Sequence, residues 1–436
     1  VQRQLHLRGI LFSPHHRQIL PVILLLVSLL GLCCCHQRPA ANVTPDVDGV
    51  SSATGIYGGN IPPTKDAKTI ETQSEITGDA LSTGGILAVT NTQYLPLATG
   101  MIQGAQESIV VVHFECNGDT TVAGLTDELL KARTRGVSVQ VLLENEVDDN
   151  TACVAKLTAG GINARLDTPS LYTHAKLLVV DRQQVLLGST NWSWKSMLEN
   201  NETNVWVDNP TIAGFFDDYG KSLFQHPDKV PLLPRQQWPE GGVVTTLIDG
   251  DYFDQAINRI HNADSRAFLL LYALNLDDNY PDSDIYALVN TLIAASKRGV
   301  DVQIILERSD YNEWLNEMNS TSAAALMAQC VPVRFDPEAT ITHAKMLVVD
   351  DEVLIHSNNW GYGGLHLYHE IGLVVDDSVV VKDFVEYFEE RWEEATPTGT
   401  PCPEAQMRPR HHLRQTHPQV DRLTSCFKTA KPQKNI

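Results

Sequence analysis

The chain has 436 residues, 43% of them hydrophobic, and a formal charge of −20 from 53 acidic and 33 basic side chains. That length accommodates two ordinary domains with sizeable cores. An acidic surface gains nothing from counterion release on a phosphate backbone, so general nucleic-acid binding is disfavoured.

At the start, Arg3, Arg8 and Arg17 precede the apolar run Val22-Ile-Leu-Leu-Leu-Val-Ser-Leu-Leu-Gly-Leu. A positive flank before a short apolar run reads as a signal peptide or N-terminal membrane anchor over residues 1–35. It predicts an exported protein: extracellular, periplasmic or membrane-tethered. Residues 36–80 hold Pro39, Pro45, Pro62 and Pro63 among Ser, Thr, Gly and Asn, and read as a disordered linker.

An α/β alternation begins near residue 81. A helical stretch near 94–106 leads to the strand Ser108-Ile-Val-Val-Val-His-Phe. The next helix ends at Arg135-Gly136, where Gly suits a left-handed cap, and Val137-Ser-Val-Gln-Val-Leu-Leu is a strand ending at Glu144. Another helix ends at Gly160-Gly161, and Ile162-Asn-Ala-Arg-Leu leads to Thr-His174-Ala-Lys176-Leu-Leu-Val-Val-Asp181. That last segment is apolar and branched, a buried strand on which His174 and Lys176 share a face. After a polar turn at 182–184, Val185-Leu-Leu carries Ser189 and Asn191 to its end.

After a Pro- and Gly-rich joint at 227–242, the plan repeats. Tyr252 to His261 is helical, and Arg266-Ala-Phe-Leu-Leu-Leu-Tyr is a strand. A helix ends at Arg298-Gly299, before Val300-Asp-Val-Gln-Ile-Ile-Leu and Glu307. Val331-Pro-Val-Arg-Phe-Asp leads to Thr-His343-Ala-Lys345-Met-Leu-Val-Val-Asp350, trailed by Ser357 and Asn359. Two Arg-Gly steps, each before V-x-V-Q, point to duplication, with halves at 81–235 and 240–395. The tail, 400–436, is basic and short of apolar periodicity, and reads as loosely ordered.

Two copies of H-x-K-x4-D, each followed by Ser-x-Asn, suggest one site built from two halves. An ammonium, a hydroxyl and an amide around a neutral imidazole suit a phosphoryl group. The pattern resembles the phospholipase D superfamily. The resemblance implies two α/β halves, each a mixed sheet flanked by helices, meeting at a pseudo-two-fold interface. It implies that one histidine attacks phosphorus and becomes a phosphohistidine while the other protonates the leaving oxygen. Carried over, the catalytic residues are His174, Lys176, Asp181, His343, Lys345 and Asp350, and the phosphate-binding residues are Ser189, Asn191, Ser357 and Asn359. Glu202 and Glu370 stand in matching places and either orient the histidines or lie on the surface. In the second half His356 replaces the Gly of Gly188-Ser-Thr-Asn191, and reads as a strand cap or as a third titratable group at the site.

The expected activity is phospholipase D-type hydrolysis or transphosphatidylation of phospholipid headgroup esters, at a membrane surface, by a catalytically complete monomer. The alternative is an endonuclease of the same superfamily, with Trp192 and Trp360 stacking on bases. Apolar residues beside the motifs, among them Trp194, Leu198, Tyr362 and Tyr368, would line a lipid path. A cardiolipin synthase ranks lower, for want of a second hydrophobic segment. No cofactor or metal is expected, because no His/Cys/Asp cluster has ligand spacing. Cys116 with Cys153 and Cys402 with Cys426 are candidate disulfides, and Cys330 reads as a buried thiol.

Overall fold

Branched apolar runs set the architecture of the computed structural model, which describes residues 85–237 and 244–398. In the first half the order is β1 (Ile86–Thr90), α1 (Tyr94–Gly104), β2 (Ser108–His113), α2 (Thr120–Thr134), β3 (Ser138–Leu143), α3 (Asp148–Ala159) and β4 (Asn163–Leu166). Then come β5 (Lys176–Val180), β6 (Gln184–Gly188), α4 (Trp194–Leu198), β7 (Thr203–Asp208) and α5 (Pro210–Gln225). The second half runs β8 (Val244–Ile248), α6 (Asp251–Asn262), β9 (Arg266–Leu271), α7 (Asp284–Arg298), β10 (Asp301–Leu306), α8 (Glu313–Met327) and β11 (Val333–Phe335). It continues with β12 (Lys345–Val349), β13 (Glu352–His356), α9 (Tyr362–His366), β14 (Ile371–Val375), α10 (Ser378–Glu394) and β15 (Thr396–Pro397).

The duplication is visible in the sheets. One has the order β1-β7-β6-β5-β2-β3-β4, the other β8-β14-β13-β12-β9-β10-β11-β15. In each, three strands are parallel (β2, β3, β4 and β9, β10, β11), and the motif strand joins them antiparallel to β2 or β9. The caps repeat too: Gly136 and Gly299 close α2 and α7 at φ +100° and +102°, which a residue with a Cβ rarely adopts.

Alternation along the strands sorts side chains into cores. Leu177 and Val179 of β5 face a core shared with the other half, where Phe216, Tyr219, Phe384 and Phe388 of α5 and α10 fill the space between the sheets. Leu178 and Val180 face the outer helices of the first half. Both sheet faces are therefore covered, which explains continuous apolar runs instead of strict polar alternation.

Cys116 and Cys153 form a disulfide, as their candidate pairing anticipated. Cys330 is disulfide-bonded and not the buried thiol expected. The candidate pair of Cys402 and Cys426, the leader at 1–35, the linker at 36–80 and the basic tail at 400–436 lie outside the described residues.

Candidate active site

The two motifs meet because the segments leading into them pair across the halves. His174 N–H donates to the His369 carbonyl at 3.0 Å, and His369 N–H to the Tyr172 carbonyl at 2.7 Å. On the other side His343 N–H donates to the Asn201 carbonyl at 2.9 Å, and Asn201 N–H to the Ile341 carbonyl at 2.8 Å. Each histidine thus lies beside the residue that precedes the other half's glutamate.

The result is a crossed pair of ion pairs. His174 Nδ1 is 2.8 Å from Glu370 Oε1, and His343 Nδ1 is 3.1 Å from Glu202 Oε2. All four side chains are buried, so the reading of either glutamate as a surface residue is excluded. Each carboxylate is held by its own half. Glu202 accepts from Ser189 Oγ at 2.5 Å, Ser196 Oγ at 2.7 Å and Asn200 Nδ2 at 3.2 Å. Glu370 accepts from Ser357 Oγ. Burial alone would raise the Glu202 carboxyl, but His343, Lys345 and Ser189 outweigh it and hold it below the usual carboxylate range.

Lys176 and Lys345 are fully buried, each at the first position of its motif strand. Their ammonium groups donate to the carbonyls of His174 (2.8 Å) and His343 (2.9 Å), and lie 4.9 and 5.1 Å from the ring centroids of Phe114 and Tyr272. Asn191 and Asn359 are buried just past the ends of β6 and β13.

Three expectations change. Asp181 and Asp350 are remote from the histidines: seven residues of extended chain separate His174 from Asp181, ~23 Å at the usual rise. Asp181 accepts the backbone N–H groups of Gln106, Glu107 and Ser108 at 2.7–2.9 Å, and Asp350 those of Asp264, Ser265 and Arg266 at 2.7–3.1 Å. They tie the far end of the motif strand to the turn before β2 or β9. Ser189 and Ser357 spend their single hydroxyl proton on the glutamates, so they hold the carboxylates and are not the direct phosphate donors expected. Trp192 and Trp360 are fully buried, with Nε1 donating to Tyr94 and Tyr252 hydroxyls at 3.0 and 2.9 Å, so neither can stack on a base.

His356 occupies the position of Gly188 through a swap across the strand pair. Gly188 pairs with Asn204, whereas His356 pairs with Gly372. A Cβ on Gly188 would meet the Thr203 carbonyl oxygen at 2.4 Å, so the first half has no room for a side chain there. Burial, helped by Lys345, pushes the His356 imidazole down to about 3, which keeps it neutral. His113, unnoticed in the sequence, is likewise buried and pushed well down, by burial and by Lys176.

The sequence reading also missed a carboxyl pair behind each histidine. Glu144 accepts the N–H of Thr173 and Glu307 that of Thr342, the residues just before His174 and His343. Burial and Asp167 push Glu144 up to about 9, and burial and Asp336 push Glu307 well up. Glu144 and Glu307 end matching strands, and that was the available signal.

The family model described as cardiolipin synthase, PLD-like domain, matches residues 99–223 and 256–392, one segment in each half. The chain belongs to this family of the phospholipase D superfamily, whose members act on phosphodiester bonds. Among curated relatives it is similar to cardiolipin synthase A of Cronobacter sakazakii, 24% identical over 65% of this chain and 64% of the relative. A second, from Shigella boydii, is 23% identical over 63% of this chain and 62% of the relative. The chain thus spans less than two thirds of the length of these relatives. Two solved structures share its fold. Phosphatidylserine synthase of Haemophilus influenzae aligns with TM-score 0.57 at 14% identity, over 72% of this chain and 87% of the other. Polyphosphate kinase of Porphyromonas gingivalis aligns with TM-score 0.52 at 16% identity, over 72% and 48%.

These relatives overturn the expectation of export. The curated matches are cardiolipin synthases, and the positive flank and apolar run lie outside the described residues. Among the described residues no helix is long and apolar enough to cross a membrane.

Proposed function

We propose that this chain is a phospholipid phosphodiester transferase that works through a phosphohistidine, with residues 81–235 and 240–395 as its catalytic unit. The observation that carries the reading is the crossed pair of histidines, each held at Nδ1 by the other half's glutamate. A glutamate on Nδ1 fixes the ring and directs Nε2 to the chemistry. His174 Nε2 attacks phosphorus, and the bond from phosphorus to the leaving oxygen breaks as His343 gives that oxygen a proton. His343 then takes the proton of an acceptor hydroxyl, whose oxygen displaces His174 from phosphorus. Lys176 and Lys345 supply positive charge to the phosphoryl oxygens, and Asn191 and Asn359 supply amide donors. The names of the relatives favour an alcohol acceptor over water, which reverses the low rank given to a synthase. Exposed Trp194, Leu198, Tyr311 and Tyr362 are amphipathic or apolar side chains of the kind that sit at a bilayer interface, and they support a membrane-surface substrate.

The nuclease alternative loses its stacking tryptophans and faces a charge of −20. The test incubates the full chain with phosphatidylcholine, phosphatidylglycerol, single-stranded DNA or a chromogenic phosphodiester, with and without added glycerol or EDTA. The expected result is headgroup exchange from a phospholipid that persists in EDTA. Cleavage of DNA without phospholipid turnover would reject the proposal.

A further inference from the structure

The two halves differ around their glutamates: Ser196 and Asn200, which donate to Glu202, are Gly364 and Tyr368 in the second half, and a further pair of positions differs in charge. Behind Glu202 the pair is Asn91 and Asn201. Asn91 Oδ1 accepts Glu202 N–H at 2.9 Å and the Tyr387 hydroxyl at 2.8 Å. Behind Glu370 the corresponding residues are Asp249 and His369. Asp249 Oδ1 accepts Glu370 N–H at 3.2 Å and the Tyr219 hydroxyl at 2.8 Å. Even the backbone agrees, with Asn91 at φ 50° and Asp249 at φ 48°. Two neutral amides on one side are therefore a carboxylate and an imidazole on the other.

His369 is buried, and both of its ring nitrogens face acceptors: Nδ1 is 3.4 Å from Asp249 Oδ1 and Nε2 is 3.1 Å from the Pro227 carbonyl. An imidazole that donates from both nitrogens carries a positive charge. The other ionisable groups around it are Tyr219 of α5, Asp167 after β4 with its neighbour Glu144, and Glu370, the next residue in the chain. Burial would push His369 down, but Asp249 and the Pro227 carbonyl outweigh it and hold the imidazole above its ordinary value. Its backbone carbonyl, moreover, accepts the N–H of His174.

We infer that Asp249 and His369 are a positioning pair that makes the two histidines of the site unequal, by setting the charge behind Glu370 and so the hold of His174 on its proton. While His369 is protonated the pair is neutral as a whole. Without that proton, the Asp249 carboxylate stands uncompensated next to Glu370, and its field favours protonated His174. Glu202 and His343 are backed instead by Asn91 and Asn201, which carry no carboxylate, and the Arg391 guanidinium donates to Asn201 Oδ1 at 3.1 Å. The kinetic consequence rests on the phosphodiester reading above; the effect on His174 does not.

The test therefore uses two readouts on the full chain: the pH profile of kcat/KM with a phospholipid, and the titration of His174 by NMR with labelled histidine, assigned with His174→Gln. In His369→Asn the His174 titration moves to higher pH by ~0.5 unit or more. One limb of the profile moves with it, and the other stays. Asp249→Asn combined with His369→Asn copies the amide pair of the first half and returns both readouts toward lower pH. His369→Gln, which keeps an N–H for Pro227, serves if His369→Asn does not fold. A His174 titration that is the same in all folded variants overturns the inference. A shifted titration in a protein with no phospholipid turnover would uphold the pair and reject the functional reading instead.

Discussion

A histidine held by a buried carboxylate can exchange a proton at its outer nitrogen without turning. His174 and His343 each have such a holder, and each holder comes from the opposite half. His174→Ala and His343→Ala should each lower kcat by ~10^3-fold or more, and the double substitution should be little worse than either, because the two act as one unit. Matching additive losses in steady-state kinetics would argue against a shared site. The motif aspartates should behave differently. Asp181→Ala or Asp350→Ala removes an acceptor of several backbone N–H groups and should cost about 1–3 kcal/mol of stability. Activity per folded molecule should be kept, as urea unfolding and kinetics on the same sample would reveal. The histidines and lysines could be read as pairs because each lysine opens a short strand and its histidine stands two residues before it. The aspartates were misplaced because a linear motif says nothing of the distance its residues span when extended. The serine hydroxyls were misassigned because their acceptor depends on the register of β6 with β7 and of β13 with β14.

Strand and helix order was legible from local pattern: branched runs for β5 and β12, Arg-Gly steps for the ends of α2 and α7. The pairing of Thr173 with His369, and of Asn201 with Thr342, was not. It joins residues far apart in sequence, and no local signal encodes it. The carboxyl pairs at the strand ends lie in that same unread layer, and they set a pH dependence. Burial and Asp167 raise Glu144 to about 9 in the folded chain, against an ordinary carboxyl value when unfolded. Between those values the folded state binds more protons, so stability falls as pH rises across the window. Its contribution is complete below the unfolded pKa and gone above about 9. Glu144→Gln, which keeps a neutral side chain of the same shape, should flatten the decline in melting temperature between about pH 5 and about pH 9. An unchanged slope would mean that other groups govern it.

At the scale of the whole molecule, the halves are not two domains touching at a cleft. Phe268 of β9 stacks on Phe388 of α10 with centroids 4.8 Å apart, and both belong to the core that also takes Leu177, Val179 and Tyr219 from the first half. Separating the halves would expose that core and remove a glutamate from each histidine. Both histidines and both of their glutamates come from one chain, so we expect the enzyme to need no second copy for chemistry. Mixing His174→Ala chains with His343→Ala chains tests this directly. If sites formed between chains, hybrids would contain one site with both histidines intact, and activity would return on mixing. With each site built inside its own chain, every molecule in the mixture lacks one histidine. The activity of the mixture, even after unfolding and refolding the two together, should stay at the average of the separate variants. Recovery to a sizeable fraction of wild-type activity, rising with protein concentration, would move the site to an interface between copies.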